Sequence, residues 1–294
     1  VHEDIKLGKP SRDRLIANYA QNIINLGKYG VKCICYNFMP VFDWFRTNLY
    51  YKHADGATSL SYSEADFNKL DKRNLRLPGW DESYTPEQLN GLLADYEGMT
   101  HEQLFANLVY FLEGIMPACD ETGINMAIHP DDPPWDIFDL PRIVGRESDY
   151  DKLFAAVPNK HNGITFCTGS LGAGRFNDLP KMAAKYADRI YFAHLRQLKF
   201  VNDTDFYELK NLTIQGYDLT FITIDELFKN DFKGFNYIIL KNLEQIDDNI
   251  LNSDGSTKNI KNSKDFYCAY LYININNNFN YKKENKDKFE ARIE

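Results

Sequence analysis

Three short apolar runs in this chain end alike, each giving way to a loop at a residue that binds transition metals. They are Asn125-Met-Ala-Ile-His-Pro-Asp-Asp-Pro-Pro134 with His129, Gly163-Ile-Thr-Phe-Cys-Thr-Gly-Ser170 with Cys167, and Ile190-Tyr-Phe-Ala-His-Leu-Arg196 with His194. Runs this short, continuously apolar rather than alternating, read as strands of a parallel sheet covered on both faces. From His129 to Cys167 is 38 residues and from Cys167 to His194 is 27, each the length of one strand–helix unit. In a barrel of alternating strands and helices the C-terminal strand ends converge on one mouth, so donors distant in sequence meet there. Two imidazoles and a thiolate suit a divalent transition ion, with a position left open for water or substrate. Taken singly, a buried cysteine is an ordinary small apolar residue and a lone histidine an ordinary hydrogen-bonded one. Three at matching strand ends predict a metal site.

The rest of the chain predicts an α/β fold, a TIM-type (β/α) barrel. Ser11 opens a helix reaching about Gly27 or Gly30, with Leu15, Tyr19, Ile23 and Leu26 on one face, and Val31 to Pro40 follows as a buried strand. A long polar and aromatic loop then runs through Asp43-Trp-Phe-Arg46 to Trp80; loops of that length in compact domains are usually functional or disordered. Pro86 starts a helix after Thr85. Thr100-His-Glu-Gln103 is a capping box opening another, whose stripe of Leu104, Leu108, Leu112 and Ile115 points inward until Gly123 ends it. Further strands are expected at 124–129, 163–167, 190–196, 205–209 and 237–240, with helices near 148–156, 177–187 and 222–229. That makes six strands, two short of a closed eight-stranded barrel. From Asn249 onward Asn, Lys, Ile and Tyr dominate, a low-complexity polar composition in which only the patch around 266–275 looks able to pair as a strand. The expected organisation is a barrel domain over 1–248 and a divergent tail over 249–294.

A net charge of −8 argues against nucleic acid as a partner, because a binder needs a basic face to release counterions. The same charge opposes an anionic substrate at long range, so an acid must be held by local cations. No apolar run approaches the roughly 20 residues that span a bilayer, and the first residues lack a basic-then-apolar leader, so a cytoplasmic protein with no membrane partner is expected. The five cysteines are odd in number and scattered, as reduced thiols are, and Cys33-Ile-Cys35 lacks the spacing of a redox motif.

Four motifs then occur in order: Cys35-Tyr-Asn-Phe-Met-Pro-Val-Phe-Asp-Trp-Phe-Arg46, Ile128-His-Pro-Asp-Asp-Pro-Pro-Trp135 with Leu140-Pro-Arg-Ile-Val144, Cys167-Thr-Gly-Ser-Leu-Gly172, and Phe192-Ala-His-Leu-Arg196. Together they resemble mannonate dehydratase over about residues 1 to 200. The resemblance implies a barrel of the xylose-isomerase-like group that removes water from D-mannonate, giving 2-keto-3-deoxy-D-gluconate in hexuronate catabolism. It also implies Mn2+ or Fe2+ held by His129, Cys167 and His194. The donor set alone suggests zinc, which stays a competitor. Near the mouth, Asn37, Arg46, Asp131, Asp132 and Arg196 are the candidates for substrate binding. Arg46 and Arg196 suit a carboxylate because a guanidinium offers paired donors. Each also has an ordinary reading: a solvated loop residue for Arg46, a turn cap for Asp132, a structural ion pair for Arg196. Gly169, Gly172 and Gly174 lack phosphate-loop spacing, and packing or turning explains them better.

The C-terminal part departs from the family. Its last strand ends in Arg-Pro-Asp-His-Gly-Arg, the Asp a metal ligand and the His active in proton transfer, whereas this chain reads Phe235-Asn-Tyr-Ile-Ile-Leu-Lys-Asn-Leu-Glu-Gln245. Catalytic residues are therefore left unassigned. Glu244 or Asp247 is the nearest oxygen donor, and neither Tyr267 nor Tyr270 aligns with the family's catalytic tyrosine. The preceding strand matches only at Asp205-Phe-Tyr-Glu208. The opening Val1-His-Glu-Asp-Ile-Lys-Leu-Gly8 resembles the segment just after the family's second strand. The barrel is thus expected to be incomplete, with two strands absent and two open edges that a homodimer would cover. The alternative to an enzyme, impaired or not, is a non-catalytic metal-binding remnant or interaction protein of the same fold.

Overall fold

The computed structural model describes residues 1–54, 56–70 and 85–209, together with the backbone of two short strands at 238–240 and 269–271. Its main sheet has six strands in the order β1 (Cys33–Tyr36), β4 (Asn125–Ile128), β5 (Asn162–Cys167), β6 (Ile190–Leu195), β9 (Ile238–Leu240) and β10 (Ala269–Leu271). The first five run parallel, and β10 pairs antiparallel with β9. Spatial order follows chain order without reversal. That is the singly wound progression of a barrel; a doubly wound sheet reverses at a switch point. The sheet is parallel α/β because its strands are apolar throughout: every residue of β5 is buried, and Met126, Ala127 and Ile128 of β4 are fully enclosed.

The helices cover this sheet for reasons already visible in their termini. α4 (Pro86–Asp95) and α5 (His101–Thr122) each begin in a complete capping box, Thr85 with Gln88 and Thr100 with Gln103. Leu104, Leu108, Phe111, Leu112, Ile115 and Cys119 give α5 a buried stripe at helical spacing. Gly123 ends the helix with φ of 70°, a left-handed turn that glycine adopts without a Cβ clash. α2 (Arg12–Gly27) packs on α5, and α6 (Glu147–Ala156) and α8 (Leu179–Lys185) follow β4 and β5 as the alternation predicts. The short α1 (Glu3–Lys6), α3 (Glu64–Phe67) and α7 (Thr168–Ala173) complete the described helices.

Two expectations are corrected here. The stretch 205–209 is not a barrel strand: β8 (Phe206–Glu208) belongs to a second, four-stranded antiparallel sheet in the order β2 (Asn48–Lys52), β3 (Thr58–Tyr62), β8, β7 (Leu198–Phe200). The physical reason is local, since the chain leaving β6 folds back on itself at a turn where the Asn202 side chain accepts from the amides of Thr204 and Asp205. The stretch read as a loop likewise holds the β2–β3 hairpin, whose residues alternate between more and less exposed in the period of a half-covered strand. Within the Asn-rich segment, β10 falls in the patch around 266–275.

The second sheet grows from the chain leaving β1 and the chain leaving β6, so it sits at the C-terminal ends of the barrel strands. An aromatic layer fastens it there: Tyr62 of β3 meets Trp135 edge-on with ring centres 5.4 Å apart and Phe45 at 6.4 Å, and Phe45 in turn meets Phe138 at 5.2 Å. Each such pair contributes roughly 0.5–1.5 kcal/mol beyond its area burial. The mouth of the sheet is thereby roofed and partly dried.

Candidate metal centre

Strand register brings the three predicted donors together. Cys167, the last residue of β5, lies directly beside His194 of β6. His129 stands one residue past β4, where its amide donates to the Tyr36 carbonyl of β1 at 2.6 Å. Its Nδ1 lies 2.8 Å from the Pro130 carbonyl oxygen. A carbonyl only accepts, so Nδ1 carries the proton and Nε2 is the nitrogen left to coordinate. The rings of His129 and His194 are centred 5.8 Å apart, and one ligand atom from each of the three residues lies within 4.8 Å of the others.

The donor set passes a simple test of fit. Sγ of Cys167 and Nδ1 of His194 are 3.5 Å apart. Legs of about 2.3 Å to sulfur and 2.0 Å to nitrogen close that base at a nearly tetrahedral angle. Charge fits as well. Burial alone would raise the Cys167 thiol, but Arg196, His194 and His129 override it and hold the group well below its ordinary range, as a thiolate. Burial would lower the His129 imidazole, and the adjacent sulfur raises it instead. The two groups thus shift in opposite directions, each favouring the charge that the other attracts.

Around the donors lies a buried lattice of four charges. Arg46 donates to both oxygens of Asp132, at 2.7 and 3.2 Å, and to Glu208 at 3.3 Å. Arg196 donates to Asp132 at 2.6 Å and to Glu208 at 2.8 Å. All four side chains are buried. Two cations and two anions cancel, which is the condition under which such burial is tolerable. Arg196 is also the lattice's link to the centre, because its Nη2 reaches Ser170 Oγ at 2.8 Å and Cys167 Sγ at 3.5 Å.

The five candidates for substrate binding are placed differently. Asn37 follows β1, and its Oδ1 is a buried acceptor with no partner among the described residues. Arg46, Asp132 and Arg196 form the lattice. Asp131 turns away, accepting from the amides of Ile143 and Val144 at 2.7 and 2.8 Å, with Arg142 at 4.0 Å. Glu244, Asp247 and Tyr267, the helix expected near 222–229 and the side chain of Tyr270 lie outside the described residues. Sequence reasoning passed over Glu208 and Ser170. A signal for Glu208 existed: in Phe206-Tyr-Glu208 the acid shares the buried face of a short strand with Phe206, and an acid there requires a cationic partner. Gly169 is a packing glycine, since a Cβ there would lie 2.6 Å from Nε of Arg196.

No helix among the described residues is long and apolar enough to cross a membrane. A family model described as D-mannonate dehydratase (UxuA) matches residues 1–273. The chain belongs to that family. The match continues past the first 200 residues, where the motifs lie. Among curated D-mannonate dehydratase relatives, the mannonate dehydratase of Oceanobacillus iheyensis is 47% identical over 218 residues, covering 74% of this chain and 62% of its own length. Mannonate dehydratase 2 of Halalkalibacterium halodurans is 48% identical over 220 residues, covering 74% and 64%. The crystal structure of mannonate dehydratase from Streptococcus suis serotype 2 superposes with a TM-score of 0.71 at 38% identity, over 80% of this chain and 64% of that one. The chain thus spans a little under two thirds of the length of these relatives. At that identity and TM-score the parallel sheet is the half-barrel of a TIM-type fold.

Proposed function

We propose that this chain carries the metal centre of a hydro-lyase that converts D-mannonate to 2-keto-3-deoxy-D-gluconate. The observation that supports it best is the convergence of His129, Cys167 and His194 at adjacent strand ends, in a member of the D-mannonate dehydratase family. Those three residues would hold Mn2+ or Fe2+, the family's ions, with Zn2+ as the competitor that the donor set favours. When bound, the ion supplies a Lewis acid for the oxygen that gains charge as the C2 proton leaves.

The chain's own groups then bind and orient. Asn37 offers its free Oδ1 to a substrate hydroxyl. Arg196, whose Nη atoms are taken by Glu208, Asp132 and Ser170, is proposed to favour a substrate carboxylate beside the centre by its charge. Asp132, itself gripped by Arg46, holds Arg196 in place, and Asp131 pins the 131–144 loop on which Asp132 lies. The roof of the second sheet excludes water from the charged groups, which strengthens every one of these contacts. The proposal includes a homodimer.

Incubating the metal-loaded protein with D-mannonate and measuring the 2-keto acid tests the reading. Product is expected with manganese or ferrous iron and is expected to vanish on chelation. Absence of product with manganese, ferrous iron and zinc alike would overturn the dehydratase reading in favour of a non-catalytic metal-binding protein.

A further inference from the structure

We infer that Glu208 is a positioning residue: it sets Arg196 against the sulfur of Cys167 and so damps the thiolate as a metal donor. The inference rests on the metal reading above and assigns the second sheet a part in it. Besides His194 Nδ1 at 3.5 Å, Sγ faces the Ser170 amide at 3.5 Å, the Ser170 hydroxyl at 3.2 Å and Arg196 Nη2 at 3.5 Å. The Ser170 hydroxyl has one proton. Its oxygen already accepts from Arg196 Nη2 at 2.8 Å, so that proton is directed to the sulfur. The two protons of Nη2 go to Asp132 at 2.6 Å and Ser170 Oγ at 2.8 Å, so Arg196 acts on the thiolate through Ser170 and, from 3.5 Å, by its charge.

Arg196 is held in turn from two sides. Its backbone is locked to Thr168, whose Oγ1 accepts from the Arg196 amide at 2.9 Å and donates to its carbonyl at 2.7 Å. Its guanidinium is held by Asp132 and Glu208, and these are not equivalent. Asp132 spends both oxygens on Arg46 as well, whereas Oε1 of Glu208 lies 2.8 Å from Arg196 and 3.3 Å from Arg46. Glu208 is thus mainly the partner of Arg196, and it comes from β8, an element of the roof. Gly169 leaves the space the guanidinium occupies.

Hydrogen bonds to a ligating sulfur withdraw electron density from it, and partners at this remove change affinity by about 10–100-fold. A damped thiolate favours harder ions such as Mn2+ or Fe2+; an undamped one favours softer Zn2+ or Co2+. The geometry therefore makes Glu208 and Ser170 determinants of which metal a Cys/His/His centre keeps.

The test uses the full chain loaded with Co2+, reading the sulfur-to-cobalt charge-transfer band, together with Mn2+ and Zn2+ affinities by competition titration. Glu208→Gln and Ser170→Ala are each expected to move the band to lower energy and to shift the affinity ratio toward Zn2+ by about tenfold. A purely structural role for either residue would leave the band energy alone. Should Glu208→Gln fail to fold, Ser170→Ala decides, since it removes one small buried hydroxyl. A wild-type band with no shift of band or ratio in the variant would overturn the inference while leaving the metal centre standing. A wild-type protein with no such band would overturn the metal centre, and this inference with it.

Discussion

Cys167→Ser is expected to reduce bound metal from about one ion per chain to nearly none. The thiolate is the only anionic donor of the three, and Arg196, His194 and His129 hold it ionised despite its burial. A serine hydroxyl at the same place stays protonated at neutral pH and offers a weak neutral oxygen. Loss of an outer partner of a ligand costs about 10–100-fold in affinity, and loss of the ligand itself is expected to exceed the upper figure. Metal analysis after dialysis reads this directly. Thermal unfolding supplies the control: at a hundredfold excess over Kd an ion stabilises the wild type by about 2.7 kcal/mol, and the variant is expected to gain nothing. The control is each protein's own gain on adding the ion, since the apo variant has also lost a buried anion beside Arg196. Full metal stoichiometry in Cys167→Ser would remove this site from the protein's chemistry.

The meeting of the three donors was legible because everything that brings it about is local to a strand end. Continuous apolar runs specify β4, β5 and β6 as buried parallel strands, and the residue where each run stops must face the mouth. The helix termini were legible for the same reason: Thr100 with Gln103 and Gly123 act on backbone groups within one turn.

The roof was not legible, and with it Glu208, one of the four charges of the lattice. β3 meets β8 through Ser61 with Tyr207 and Tyr62 with Phe206, pairings between segments on either side of the three central strands. Each segment is three to five residues long, half exposed and mixed in composition, so only the pairing makes it a strand. Arg46, Asp132 and Arg196 read as substrate-binding candidates at the mouth, and nothing in the sequence pairs the three with one another. Their burial follows from the aromatic layer above them, to which Phe45, Phe138 and Phe206 come from three separate parts of the chain. Glu208 could not be weighed as a partner of Arg196 until β8 had left the barrel.

Asp132→Asn is expected to destabilise the fold by about 3–5 kcal/mol, the cost of removing one charge from a buried, balanced set. The neighbouring substitution Asp131→Asn is expected to cost little. An asparagine at 131 still presents one oxygen to the amides of Ile143 and Val144, and the ion pair it gives up, to Arg142, spans 4.0 Å. The two acids are also expected to respond to pH with opposite signs. Burial would raise Asp132, but Arg46 and Arg196 hold it far below the carboxylate range. Its stabilisation is therefore complete above the unfolded value, near pH 4, and is lost only in stronger acid. Asp131 is pushed by burial up to about 6, with Arg142 and the two amides opposing the shift. Its ionisation costs stability above that pH, on the order of 2–3 kcal/mol, and the cost fades as pH falls from 6 toward 4. Denaturant midpoints at pH 7, 5 and 4 check both. The wild type should gain stability from Asp131 over that window, and Asp131→Asn should flatten the gain. Asp132→Asn should be weaker at all three values. If it stays within 1 kcal/mol of the wild type, the lattice is neither as dry nor as balanced as its distances imply; if Asp131→Asn proves as damaging, the division of roles between the two adjacent acids fails.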